Sequence, residues 1–420
     1  MEFKKITVGN FAENLDRFRI PLSSAEREKK RGKYPYYGAA KIIDYVDGFT
    51  HSGLSVLIAE DGSVETDKGY PVVQLANGEY WVNNHTHVLK GKNDWDTLYL
   101  YYALQIIKVS PFVTGAVQKK ISQKALNSME LNYFEDPMIR RKIVESLLEL
   151  DKKIELNTQI NQTLEQIAQT IFKSWFIDFD PVHAKANALA SGQTAEQATQ
   201  AAMAVISGKN TQELHRLQTA NLEQYQQLWE IAEAFPSGFD EEGVPWGWEE
   251  RYLKDVCNIV YGKNLPTSEL KEQGYPVFGG NGVIGFYDKY LYDKPHTLVS
   301  CRGAASGKVI YSLPNSFVTN NSLVIEHSKS YLSSFYVYEA LSIQNLTKLT
   351  SGSAQPQMTI ANMNPVQIIV PTEKAHSLYF NFVKGIYDKK LYGLYENEVL
   401  SKIRNELLPK LLSGEILNGN

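Results

Sequence analysis

Two nine-residue segments, TGAVQKKIS at 114–122 and SGSAQPQMT at 351–359, carry side chains suited to reading a patterned polar surface. Gln118, Lys119 and Lys120 follow Gly115, and Gln355 and Gln357 follow Gly352. A glutamine amide pairs bidentately with adenine, and a lysine or arginine with guanine, so these residues are candidates for contact with base edges. Arg302 and Lys308, in SCRGAASGKV, add two cations on a glycine-rich turn suited to phosphate or base contact. Each of the seven also reads as a solvated loop residue, and the sequence leaves that alternative open.

Other arrangements carry less chemistry. His85 and His87 alternate on an expected strand, but no carboxylate or third histidine stands nearby in sequence, and the second segment of this kind has Ser322 and Val324 instead, so no metal site is expected. GNGVIG at 280–285 satisfies G-x-G-x-x-G without a strand–helix–strand context or a later ribose-binding acid. GAASGKV lacks the spacing and the hydroxyl of a phosphate-binding loop. MNPV at 363–366 is similar to the Asn-Pro-Pro-aromatic signature of amino-methyltransferases, yet it lacks the second proline and the aromatic. EREKKRGK at 26–33 is a mixed charged segment, able to touch phosphate but equally a solvated loop. Cys257 and Cys301, the two cysteines, read as small core residues. No catalytic constellation emerges, so the chain is expected to be non-catalytic and to bind no cofactor of its own.

The elements that would position these side chains occur twice. YPYYGAAKIIDYVDGF at 34–49 returns as YPVFGGNGVIGFYDKY at 275–290, matching Tyr34, Pro35, Gly38, Ile43 and Asp47 with Tyr275, Pro276, Gly279, Ile284 and Asp288. WVNNHTHVLK returns as FVTNNSLVIE, pairing Asn83 and Asn84 with Asn320 and Asn321; TGAVQKKIS returns as SGSAQPQMT, and LDKKIEL as YDKKLYGL. Four blocks in one order are a duplication. Asparagines shared by both copies suit structural turns, and Tyr36 and Tyr37 suit packing.

Each copy opens with short β-leaning runs such as SVLIAE and HTLVSC between Gly, Asn, Asp and Pro clusters, and closes with a long helix. In the first helix a four–three spacing selects Ile143, Leu147, Leu150, Ile154, Asn157, Asn161, Leu164, Ala168, Ile171 and Trp175, a coiled-coil seam interrupted by two asparagines. Either the asparagines face the partner helix and fix register, or local winding turns both outward. The expected organisation is a first domain at 1–136, a first helix at 137–178, an Ala/Gln-rich helical linker insert at 179–244, a second domain at 245–372, and a second helix with C-terminal tail at 373–420. The insert either lengthens the link between the first helix and the second domain or loops out.

Composition bounds the rest. At 420 residues, 43% hydrophobic and 21% charged, the chain suits two or three globular domains. It has no apolar run of membrane-spanning length and no secretory signal, and a cytoplasmic location is expected. A net charge of −4 argues against non-specific coating of nucleic acid, though not against a local reading surface.

The stretches KYPYYGAAKIIDYVDGF, LIAEDGSV, WVNNHTHVLKG, TGAVQKKIS, IAQTIFKSWFIDFDPV, VPWGWEERYLKDV and LLPKLLSGEI, in that order, resemble the specificity (S, HsdS) subunit of type I restriction–modification systems. The resemblance implies an α+β fold: two β-rich α/β target-recognition domains in tandem pseudo-repeat, separated by two long antiparallel coiled-coil helices. It implies that each domain reads one half of a bipartite, asymmetric double-stranded DNA target. It implies two methyltransferase (M) subunits, which use S-adenosylmethionine for adenine N6 methylation, and restriction/translocase (R) subunits, which use ATP and Mg to cleave unmethylated DNA. A helix of about 40 residues is about 60 Å long, enough to hold two readers about one duplex turn apart. Two other readings stay open: a self-contained endonuclease or methyltransferase, and a coiled-coil scaffold without DNA specificity.

Overall fold

The computed structural model describes residues 3–115, 118–352 and 355–416. Ala116 and Val117 of TGAVQKKIS, Ser353 and Ala354 of SGSAQPQMT, and 417–420 of the C-terminal tail lie outside the described residues. The chain forms two compact units, one of residues 1–158 with 395–420, the other of residues 159–394.

In the first unit, the apolar run Ser55–Ala59 is buried along its whole length, as a strand covered on both faces must be. It forms the centre of an antiparallel sheet with Val73–Ala76 on one side and Thr86–Lys90 on the other, and Glu13–Asn14 at the far edge. A second sheet holds Arg31–Tyr37, which pairs antiparallel with Ile42–Val46 and parallel, through Tyr36 and Tyr37, with Trp81 and Val82. A two-stranded ribbon joins Lys4–Thr7 to Glu130–Tyr133 and so ties the start of the domain to its end. The helix Asp94–Leu104, capped by Asn93, packs Tyr99, Leu100 and Leu104 into the main core.

The second unit repeats this plan. Thr297–Ser300 is central between Ser322–Glu326 and Val309–Tyr311, with Asn258–Tyr261 at the edge. Tyr275–Gly279 pairs antiparallel with Gly282–Tyr287 and parallel, through Val277 and Phe278, with Phe317 and Val318. Glu249–Tyr252 and Gln367–Val370 form the closing ribbon. The duplicated sequence is thus a duplicated topology, and the two β-rich domains with their long helices make an α+β fold.

The long helices run Pro137–Phe176 and Glu373–Leu412. Proline opens the first, where its missing N–H costs nothing, and the Asp136 carboxylate accepts from the Met138 N–H. In the first unit Ile143 and Leu147 are buried with Leu408, Leu411 and Leu412 of the second helix, while Leu150 and Ile154 are half-buried. In the second unit Ala168, Phe172, Trp175 and Phe176 are buried with Tyr379, Val383 and Tyr387, and Leu164 and Ile171 are half-buried. Within each unit the helices are antiparallel.

Both seam asparagines face the opposite helix. Asn157 donates to Glu396 at 2.7 Å and to Asn397 at 2.9 Å. Asn161 donates to the Lys390 carbonyl at 3.1 Å and lies against Gly393, where a Cβ would come within 2.9 Å of its side-chain oxygen.

The Ala/Gln-rich segment is a folded helical excursion anchored at its two ends. It folds into four helices, Asp180–Ala190, Ala195–Ser207, Thr211–Ala220 and Leu222–Ala234. They share a small core around Met203, Leu214, Tyr225 and Leu228. Val182, Ile231 and Phe235 join the core of the second unit, because a helix with an apolar stripe must bury it somewhere. Buried Lys185 donates to the carbonyls of Ala232 and Phe235 at 3.2 and 2.6 Å, closing the last helix of the four.

Candidate nucleic-acid interface

The segments holding the candidate residues are built alike in both domains. Val113–Thr114 and Lys120–Ile121 form a short antiparallel pair, and Gly115 in between has φ +90°. Ser351 pairs with Gln357 around Gly352, also at φ +90°. Each turn is strapped to the residue that follows the central strand. The Ile121 N–H donates to the Glu60 carbonyl at 2.8 Å, and the Met358 N–H to the Cys301 carbonyl at 3.1 Å. Asp61 therefore bridges to Lys120, and Arg302 to Gln357. Ser306 ties the glycine-rich turn to the second of these segments by donating to the Pro356 carbonyl at 2.8 Å. Arg302, Gln355 and Gln357 thus share one neighbourhood, as do Gln118, Lys119 and Lys120 in the other domain. Lys308 stands at the rim of its sheet and donates to Asn281, at the tip of the Tyr275–Tyr287 hairpin, at 2.6 Å.

The electrostatics of the two places differ. In the first, Lys119 pairs with Glu65, Lys120 with Glu60 at 3.0 Å, and His85 with Asp61 at 2.8 Å. In the second, Arg302 is exposed and makes no ion pair among the described residues.

A buried ionic cluster supports the first place from below. His87 meets Asp16 at 2.5 Å through Nδ1 and the Ile121 carbonyl at 2.8 Å through Nε2. Arg19 bridges Asp16 at 3.4 Å and Glu60 at 2.6 Å. Burial alone would raise the carboxyl pKa of Asp16. The hydrogen bond and charge of His87, the Val88 N–H and Arg19 outweigh it and hold Asp16 below its usual range. Glu60 is likewise held low, burial being outweighed by Arg19, His87 and Lys120.

Carboxylates do stand beside His87, contrary to the expectation from its sequence neighbours: ligand atoms of Asp16, Glu60 and His87 lie within 4.8 Å of one another. Arg19 and Lys120 already supply positive charge there, so the cluster acts as an ionic brace. In the second domain Val324 stands where His87 does and Met358, buried, replaces Ile121, so that brace is apolar.

Of the shared asparagines, Asn83 makes a turn-closing contact through its side chain, and Asn320 and Asn321 contact through their backbone carbonyls. Asn83 is buried and accepts from the His85 N–H at 2.9 Å. The Asn320 and Asn321 carbonyls accept from the Cys301 thiol and N–H. Tyr36 is buried, its hydroxyl accepting from the Leu22 N–H.

Comparison with known proteins gives this geometry its context. The family model of the type I restriction modification DNA specificity domain matches residues 1–166 and 245–388. The chain belongs to this family. The HindI type I restriction enzyme specificity subunit of Haemophilus influenzae is 35% identical over 332 residues, covering 71% of each chain. The MjaIX specificity subunit of Methanocaldococcus jannaschii is 22% identical over 344 residues, covering 76% of this chain and 68% of the relative. Among solved structures, a type I S subunit from M. genitalium shares the fold at a TM-score of 0.55 and 17% identity, over 98% of this chain and 96% of that one.

Specificity subunits are the non-catalytic component of type I restriction–modification systems. The four-helix segment lies within 167–244, which the family model leaves unmatched. No helix among the described residues is long and apolar enough to cross a membrane.

Proposed function

We propose that each domain of this specificity subunit reads one half of a bipartite, asymmetric double-stranded DNA target. One observation carries the reading. The same strapped turn, on the same glycine and with the same glutamine, occurs in both domains but continues differently: Lys119 and Lys120 follow Gln118 in one, whereas Pro356 and Gln357 follow Gln355 in the other, with Arg302 beside them where the first domain has Asp61. A shared frame with different reading groups suits two different half-sites. The chemistry belongs to partners. Two methyltransferase subunits carry S-adenosylmethionine and methylate one adenine in each half, flipping it from the stack. Restriction subunits use ATP and Mg to cleave DNA unmethylated at both halves.

Co-expression with the neighbouring methyltransferase subunit, followed by mapping of N6-methyladenine in host DNA, tests this. The expected result is a split motif with two unlike halves and a fixed gap. Replacing residues 250–370 with those of a relative should change one half alone. An assembled, active complex that leaves no sequence-specific methylation sinks the reading in favour of a scaffold.

A further inference from the structure

The second residue beyond the central strand in one domain, and its counterpart in the other, occupy one backbone position and carry opposite charge. Glu60 turns into the ionic brace and Cys301 into the core. The next side chain, Asp61 or Arg302, therefore points the other way along the extended backbone. Asp61 bridges to Lys120 and Arg302 to Gln357, both in the antiparallel sense. On the opposite side the Glu60 N–H donates to the His85 carbonyl and the Cys301 N–H to the Asn321 carbonyl, each at 2.9 Å. One frame thus holds a carboxylate at the first reading turn and a guanidinium at the second.

The carboxylate is the one that needs a reason. Phosphates repel it, and two lysines stand beside it without pairing to it: Lys119 meets Glu65 and Lys120 meets Glu60. The Gly62 N–H donates to the Lys119 carbonyl at 3.0 Å and closes the turn around it. Among the described residues Asp61 pairs with His85 alone, both carboxylate oxygens lying 2.8 Å from Nδ1. His85 is half exposed, and a pair open to water adds little stability. The frame does not require an acid either, since Arg302 fills the same place in the other domain. What His85 does is fix the orientation of Asp61. A carboxylate only accepts, so Nδ1 donates, and the lone pairs left over on Asp61 are acceptors on a side chain that stays 19% exposed.

In the major groove an acceptor-only group matches the N4 amino group of cytosine, and an arginine matches the O6 and N7 acceptors of guanine. The carboxylate is also repelled by the acceptors that the guanidinium selects, so each group rejects the other's base edge. We propose that Asp61 and Arg302 are a pair of specificity-determining residues. Asp61, positioned by His85, accepts from a cytosine amino group in the first half-site, and Arg302 donates to a guanine in the second. This deepens the reading of two half-sites proposed above and rests on it.

The test uses the chain assembled with its methyltransferase subunits. In the methylation map Asp61→Ala should relax one position of the first half-site, a cytosine for the wild type, and leave the second half sharp. Arg302→Ala should relax one guanine of the second half and leave the first sharp. Asp61→Asn, which keeps the size of the side chain and an acceptor for His85, should relax the same position as Asp61→Ala. His85→Gln keeps a donor to Asp61 and should preserve the cytosine, whereas His85→Ala should broaden it.

Modified DNA then reads the hydrogen bonds themselves. Pyrimidin-2-one at that cytosine lacks the amino group, and should weaken wild-type binding about tenfold more than it weakens binding of Asp61→Ala. At the guanine, 7-deazaguanine lacks N7 and should separate the wild type from Arg302→Ala in the same way. Equal losses for wild type and variant, a relaxed position that holds no cytosine, or an Asp61→Asn complex as selective as the wild type each overturn the assignment and leave the split motif standing. A wild-type complex that produces no split motif overturns the reading beneath it.

Discussion

A Cβ added at Gly115 would stand 2.1 Å from the Gln118 carbonyl oxygen, and one at Gly352 would stand 2.9 Å from that of Gln355. Both positions also have φ +90°, where a side chain is strained whatever the space. Gly115→Ala should therefore open the first turn at a cost of about 1–2 kcal/mol from the left-handed backbone alone, with the overlap in addition. The expected outcome is a methylation map in which the first half-site blurs and the second stays sharp; an unaltered split motif contradicts it. These glycines and glutamines were visible in the sequence because a turn is local and the duplication prints it twice. The brace beneath was not. Asp16 and His87 are 71 residues apart, and nothing in LDRFR or NHTHV announces that they meet. Such a cluster exists only once the sheet has set its register.

At the scale of elements, the contacts between short and long helices show how one position in the repeat can exchange roles. In the first unit Tyr102 on the short helix donates to Asp151 on the long one at 2.7 Å. In the second the acid is Glu339 on the short helix, and Tyr387 on the long helix donates to it. Asp151 also pairs with Arg404. Glu339 is fully buried, its second oxygen has no partner among the described residues, and burial pushes its carboxyl up to about 7. The folded pKa lies above the unfolded one. Stability from the protonated acid is therefore complete below about pH 4.3 and falls as pH rises to about 7, at a total cost of up to about 3 kcal/mol. Glu339→Gln keeps an acceptor for Tyr387 and removes the charge. Denaturant melts of the variant should show a gain of about 1–3 kcal/mol at pH 8 and little at pH 5; an equal change at both pH values refutes the assignment. The four–three spacing that marks the first long helix was readable because a helical seam repeats along the chain. The fate of the Ala/Gln-rich segment was not. Its composition favours helix, but Val182, Ile231 and Phe235 find their partners in a core built largely from residues beyond 245.

For the whole molecule, the question is how a chain of net charge −4 approaches a polyanion. Two of its candidate lysines are already engaged, Lys119 with Glu65 and Lys120 with Glu60. A lysine held by a carboxylate releases few counterions when DNA arrives, so the first turn should contribute little to the salt dependence of binding. That arrangement favours discrimination, because non-specific affinity is almost wholly electrostatic. Lys119 is half exposed and Glu65 partly buried, and a pair open to water on the lysine side adds little stability. Glu65→Gln should thus free Lys119 without unfolding the domain. In the assembled complex, the slope of log K against log salt should steepen by about one for random-sequence DNA. The ratio of specific to non-specific affinity should fall, because the released charge rewards every sequence alike. Fluorescence anisotropy over a salt series reads both quantities. An unchanged slope with unchanged discrimination would place Lys119 away from the duplex, leaving Gln118 and Lys120 to carry the first reading turn.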